Sequence, residues 1–263
     1  MPTTYAHDVF GKEVYKRLPE KMKNCIKKHR KLYLIGLHGP DILFYYHPFG
    51  KNEVISLGGR MHKESARIFF ERSIGRYRED PQEDTMAYLL GFGCHFLLDS
   101  ACHPYIGAFE EKTGISHAEI ETHMDRALMG RDGRNPFRYL PASGICTGSN
   151  IEQTIAEIIP EVTPEQVRVC LKGMKRFTAL PVCRFSFARG ILLSALKILG
   201  CYDSMEGQIM RKKPNPDCKE ATCILLKLYQ QALDEAPEML MNLYQALQGE
   251  AELAVRYDRN FES

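Results

Sequence analysis

Two short stretches of the 263-residue chain concentrate side chains that bind metal ions. In "GFGCHFLLDSACHPY", residues 91–105, His95, Asp99 and His103 recur at every fourth position, and in "HAEIE", residues 117–121, His117 and Glu121 share that spacing. On a helix, residues four apart lie on one face with about 6 Å of rise between them, so each His–carboxylate pair can hold one cation. His103 lies about 12 Å along the axis from His95, which assigns it to a second ion. Around the first pair the sequence is Leu, Phe and Cys, with Tyr88 and Phe92 continuing the same face. Such a helix is apolar all round and should be buried. Burying an unpaired carboxylate is expensive, and a cation beside Asp99 would remove that cost.

One His-xxx-Asp pair is also what a hydrogen-bonded structural pair looks like. Two pairs on consecutive helices, with His103 between them, argue for a site. The histidine distribution agrees: all nine (His7, His29, His38, His47, His62, His95, His103, His117, His123) fall in the first 123 residues, and the remaining 140 have none. Asp41 in "HGPD", His62 after "GGRM" and His7 join the candidates, although His7 and His62 read equally well as surface residues. His29 sits in a Lys/Arg run and His123 lies off the His117/Glu121 face, so both are expected in solvent. His38 and His47 flank Asp41 without an assigned role. Cys94 and Cys102 face away from the ligands and read as core.

The elements that must position these groups are helical. A first helix capped by Thr3 or Thr4 should end near Leu18-Pro19. "GPDILFYYHPFG" opens with Pro40 in a helical first turn and is stopped by Pro48. "ESARIFFERSIGRY" places Ala66, Phe69, Phe70 and Ile74 on one face. The His95 helix takes Asp80 as cap, Pro81 as its first position and Pro104 as its end; the His117 helix opens at Ser116, with Glu119 at the capping-box position, and closes at Gly130. A loop-rich connector follows, then helices near 151–159, 164–179, 183–200 and 217–249, the last broken at Pro237. The expected fold class is all-α, with residues 1–130 as the metal-cluster core and 131–263 as C-terminal helices packed on the same domain.

Composition is that of an ordinary soluble protein, with 44% hydrophobic and 26% charged residues. A net charge of +2 gives no field that marks a nucleic-acid or membrane protein. The N-terminus has no apolar secretory segment, and no stretch approaches a membrane span. Nine cysteines without a CxxC pair suit reduced thiols, so a cytoplasmic location is expected.

At "HFLLDSACH" and "HAEIE" the sequence resembles the zinc-dependent phospholipase C family, whose all-α bundle is shared with zinc-dependent single-strand nucleases. The resemblance covers residues 1–130. It implies one zinc on His62, His95 and Asp99, and a second on His103, His117 and Glu121. A third would take His7, Asp99 as a bridge, and the processed N-terminus. Asp41 matches the family's proposed general base. Two departures stand out: the secreted enzymes use an N-terminal Trp, and this chain has no Trp at all. The spacing from Asp99 to His103 is also shorter than in those enzymes, so the helix is expected to stop abruptly at Pro104.

Such a cluster is suited to phosphoester hydrolysis: metal-bound hydroxide, positioned or deprotonated by Asp41, attacks phosphorus while the cations clamp the phosphate oxygens. Zinc suits the donor set best, and manganese or iron is compatible with it. The expected partner is a phosphoester substrate, with phospholipid a candidate. The basic run Lys16–Lys31 and "RFSFARGILLSALKIL" could meet a membrane surface transiently, although the simpler reading of each is a solvated or core-packing face. No stable nucleic-acid partner is expected. Two alternatives are a nuclease or nucleotidase on the same fold, for which the rings of "FYYHPF" could stack on a base, and a non-catalytic metal-binding relative.

Overall fold

Helix α6 (Glu83–Thr113) runs through the interior, and the other elements pack around it. The computed structural model describes residues 4–182, 186–198 and 206–262, and among these every regular element is helical. Before α6 come α1 (Thr4–Arg17), α2 (Glu20–Lys28), α3 (Arg30–Gly36), a 3-10 segment (Gly39–Tyr45), α4 (Glu53–Lys63) and α5 (Ala66–Glu79). After it come α7 (His117–Arg131), α8 (Ser149–Ile158), α9 (Pro164–Ala179), α10 (Ser186–Ile198) and α11 (Lys219–Gln248). The all-α fold class expected from the periodicity is thus observed.

Every residue from Thr85 to Ser100 is buried, as the apolar circumference of the sequence requires. α3, α11 and α1 enclose this stretch. The closest approach is backbone on backbone. A Cβ added to Gly91 would lie 2.3 Å from the Tyr33 carbonyl oxygen, and one on Gly36 would lie 2.3 Å from that of Tyr88. Only glycine at both positions lets α3 and α6 touch this way. On the other side, Phe69 stacks on Phe92 at 4.1 Å, and Phe70, Phe96 and Tyr257 extend the aromatic cluster. Burial of each such ring stabilises the fold by roughly 1.5–3 kcal/mol.

Two helix breaks expected at prolines do not occur. α6 continues past Pro104 to Thr113 and stops at Gly114, whose φ of 70° places it in the left-handed region. Across the proline, Cys102, Ile106 and Phe109 still bury an i, i+4, i+7 stripe, so packing outweighs the one lost hydrogen bond. α11 likewise runs through Pro237. There the carbonyl of Leu233, deprived of its usual donor, accepts a hydrogen bond from Arg17 Nη1 at 3.1 Å. The apolar stripe from Leu225 through Leu233 and Leu240 to Leu247 is unbroken across the proline.

Other boundaries move less. α6 begins at Glu83 behind Gln82, two residues beyond the expected start, and "GPDILFY" forms a 3-10 rather than an α-helix. Ser116 does cap α7, its Oγ accepting from Glu119 N at 3.3 Å, and the helix ends at Arg131. The expected 183–200 helix corresponds to α10, with 183–185 and 199–200 outside the described residues.

Candidate metal centre

Five elements bring the candidate ligands to one place. α6 carries His95, Asp99 and His103 on successive turns, and α7, folded back beside it, brings His117 and Glu121. α4 ends with His62 in its last turn, positioned by Asn52, whose side chain accepts from Ile55 N at 2.9 Å and donates to the Tyr46 carbonyl at 3.0 Å. α1 supplies His7 and the 3-10 segment supplies Asp41. His7, His62, His95, Asp99 and Glu121 are buried, whereas Asp41, His103 and His117 are partly exposed at the wall of a cleft of about 550 Å³.

Asp99 is the hub. Its Oδ1 lies 3.0 Å from His7 Nε2 and 3.5 Å from His103 Nε2; its Oδ2 lies 3.0 Å from His95 Nε2 and 4.0 Å from His62 Nε2. The two oxygens therefore face different histidine sets. Glu121 Oε1 lies 3.2 Å from His117 Nε2 and 3.4 Å from His103 Nε2. Asp41 Oδ1 is 3.0 Å from His62 Nε2. Potential ligand atoms fall within 4.8 Å of one another in three groups here: His7, His95 and Asp99; Asp41, His62 and His95, which shares His95 with the first; and His103, His117 and Glu121. Asp41, read from the sequence as a base outside the coordination sphere, thus sits at ligand distance.

The hydrogen bonding shows that these residues suit a cation. His62 Nδ1 is 2.7 Å from the Gly58 carbonyl, and His103 Nδ1 is 3.0 Å from the Phe261 carbonyl. A carbonyl can only accept, so Nδ1 carries the proton in both rings and Nε2 is directed at carboxylates. Without a metal ion or a second proton at Nε2, lone pair would face carboxylate. Zinc-binding histidines are held in this way, with the second nitrogen fixed by a backbone acceptor. His95, fully buried, has neither ring nitrogen in a hydrogen bond, and His7 Nδ1 is equally unsatisfied.

The ionisation of the metal-free cluster follows. Burial works against charge on His103, yet Asp99 and Glu121 outweigh it and raise its pKa to about 9. His62 is raised by Asp41 and His7 by Asp99, again against burial. Burial also opposes ionisation of Asp99, but His103, His95 and His7 hold it well below the usual carboxylate range. Glu121 lies well below that range beside His117 and His103. Protons on the histidines do here what a divalent ion would do better.

The remaining histidines sort differently. His38 is buried and kept neutral, its pKa pulled to about 3 by burial and by the neighbouring His7 and His95. His47 is exposed at a φ of 46°. His29 is half-buried rather than solvated, 3.5 Å from Glu83. His123, also expected in solvent, is buried: its Nε2 accepts from Asn215 N at 3.2 Å. Glu119 beside it accepts from Asn215 Nδ2 and Arg211, so these groups clamp residues 211–215 onto α7. The apolar readings of Cys94 and Cys102 match their burial. Met1 and Pro2, invoked for a third zinc, lie outside the described residues.

Sequence reasoning missed three features. Gly39 has a φ of 46°, and a Cβ there would lie 2.1 Å from His95 Cδ2; its place before "PD" was the available hint. The Gly58 and Phe261 carbonyls left no signal, because backbone acceptors have none.

An all-helical scaffold that gathers histidines and carboxylates around an open cleft defines a candidate multi-metal centre. A family model described as zinc dependent phospholipase C matches residues 6–163, more than half of the chain, and the protein belongs to that family. No curated protein and no solved structure matches it. Membership implies zinc and suggests a hydrolase. The match extends beyond residue 130 to Thr163, the N-cap of α9.

Proposed function

We propose that the protein is a zinc-dependent phosphoester hydrolase acting on phospholipid. The observation that supports this best is Asp99, whose two carboxylate oxygens are shared among four histidine Nε2 atoms beside an open cleft. His62, His95 and Asp99 would hold one zinc and His103, His117 and Glu121 another, with His7 and Asp99 available to a third. Bound zinc would supply Lewis acidity, lowering the pKa of a water and offsetting charge on the phosphoryl oxygens.

The protein's own groups divide the other tasks. Asp41 lines the cleft and is held ionised: burial opposes this, but the hydrogen bond from protonated His62 prevails. Ionised and open to the cleft, it is placed to orient the attacking water as a hydrogen-bond acceptor and to take up its proton once zinc has made that water acidic. Lys63, exposed at the rim of the same cleft, is placed to draw in an anionic phosphate. Transient contact with a lipid surface belongs to this reading. Phe187, Ile191 and Ile198 are exposed on one face of α10, the i, i+4, i+11 pattern of an interfacial helix. We place the protein in the cytoplasm, consistent with the free thiols of all seven cysteines among the described residues.

A second reading of Asp41 rests on its 3.0 Å approach to His62 Nε2, which suits a zinc ligand as well as a base. Phosphatidylcholine vesicles and single-stranded DNA, offered to wild type and Asp41→Asn, test both questions. Lipid hydrolysis that disappears in a variant retaining its zinc supports the proposal. Loss of zinc with activity moves Asp41 into the ligand set. Cleavage of DNA alone refutes the lipid assignment.

A further inference from the structure

The segment Arg259–Glu262 crosses the metal centre although it lies far outside the residues matched to the family. Phe261 makes a backbone contact on each side of the cluster. Its N–H donates to the His62 carbonyl at 3.1 Å, and its carbonyl accepts from His103 Nδ1 at 3.0 Å. Its ring, 1% exposed, lies 5.3 Å from the His62 ring and 5.7 Å from that of His95, centroid to centroid. Three candidate ligands therefore touch one residue.

The segment is tied down at several points before that contact. The Arg259 carbonyl accepts from Ala66 N at 2.9 Å, at the start of α5. Arg67 donates to the carbonyls of Leu253 and Ala254, both at 3.1 Å, and Tyr257 Oη donates to the Met239 carbonyl at 2.8 Å. Behind the ring stand Phe92 and Phe96. Residues 253–262 thus form a strap from α11 across α5 to the ligands.

We infer that Phe261 is a positioning residue of the zinc centre. Its carbonyl holds the proton on His103 Nδ1 and so directs Nε2 at Asp99 and Glu121, while its ring seats His62 and His95. The inference rests on reading the cluster as a zinc site. A neutral imidazole carries one proton and exchanges freely between two tautomers, and a fixed backbone acceptor selects one of them. His117, partly exposed and with its Nδ1 4.0 Å from Glu110, has no comparable support. Losing an outer partner of this kind typically weakens metal binding about 10–100-fold.

The test compares wild type, Phe261→Leu and a chain shortened after Asn260. One readout is Zn²⁺ affinity by competition with a chromophoric chelator. The other, independent of metal, is exchange protection of the His103 Nδ1 proton, followed by NMR in the zinc-free protein. The shortened chain loses both the carbonyl and the ring, so it should bind zinc about 10–100-fold more weakly at both sites and lose the protected proton. Phe261→Leu keeps the main chain and should retain that proton. Unchanged zinc affinity in the shortened chain, or an unprotected proton in wild type, overturns the inference. If the shortened chain fails to fold, an ester at the 261–262 linkage, introduced by peptide ligation, weakens the same acceptor with every side chain in place. An ester chain indistinguishable from wild type again overturns it. Wild type that takes up no zinc sinks the zinc reading of the cluster, whereas the protected proton still reports on the contact made by Phe261.

Discussion

Gly39→Ala tests how the 3-10 segment fixes His95. At a φ of 46° a Cβ on residue 39 would stand 2.1 Å from His95 Cδ2, 2.6 Å from Cγ and 2.8 Å from Nε2. Ordinary contact begins at 3.4 Å, so ring and backbone must separate by 3.4 − 2.1 = 1.3 Å. The ring is fully buried, with Phe92 and Phe261 packed around it, and has no space to retreat into. A left-handed alanine costs about 1–2 kcal/mol, and overpacking of this kind about 1–3 kcal/mol more. At about 2–4 °C per kcal/mol, the combined cost of about 2–5 kcal/mol should lower Tm by about 4–20 °C. The displacement also exceeds the tolerance of about 0.5 Å for a preorganised site, so zinc affinity should drop at least about tenfold. Differential scanning calorimetry of the metal-free protein and chelator competition read the two effects. Gly50→Ala, where a Cβ would meet nothing within 4 Å, is the neutral control. Unchanged Tm and zinc affinity in Gly39→Ala would falsify the claim that this turn holds His95.

Zinc must displace the proton that His103 holds with a pKa of about 9, so affinity for the ion at that residue should rise about tenfold per pH unit from neutrality and level off near pH 9. A pH-independent isotherm over that range contradicts the assignment. In the metal-free protein the raised pKa acts the other way: the stability His103 contributes is complete below about pH 6.5 and is lost as pH rises through about 9, visible in urea melts. Gly91→Ala should separate α3 from α6, because its Cβ would press on the Tyr33 carbonyl at 2.3 Å; a loss of at least about 1–3 kcal/mol is expected, and a neutral result would show that the helices can slide. Arg17→Ala should cost about 1 kcal/mol in urea unfolding by orphaning the Leu233 carbonyl, and Asp234→Ala, which removes the exposed ion pair and an exposed hydrogen bond from Gln230 but leaves that carbonyl paired, should cost less. Equal losses would mean that the salt bridge, not the carbonyl, matters.

The helices were legible because their signals are local. Apolar stripes, capping residues and the i, i+4 ligand pairs on α6 and α7 can all be read within a few turns of chain. Proline misled at residues 104 and 237 because its local penalty is outweighed by partners remote in sequence: the buried stripe past Pro104, and Arg17 more than 200 residues from the carbonyl that Pro237 exposes. His123 was misjudged for the same reason, since Asn215, which buries and engages it, belongs to a different part of the chain. His95, Asp99, His103, His117 and Glu121 announced themselves by type and spacing, whereas His7 and His62 read equally well as surface residues and Asp41 stood out through the family resemblance. The supports of the centre did not announce themselves, because a backbone carbonyl at Gly58 or Phe261 is chemically the same as any other until the fold aims it.

The most direct test of the account is zinc content per chain in protein purified without chelator, measured for wild type, His95→Ala and Glu121→Ala. Wild type should carry at least two equivalents, and each variant should lose the ion its residue holds while keeping the other. Wild type that remains free of zinc after incubation with the metal would contradict the account, because the buried charges gathered around Asp99 would then be neutralised by protons alone.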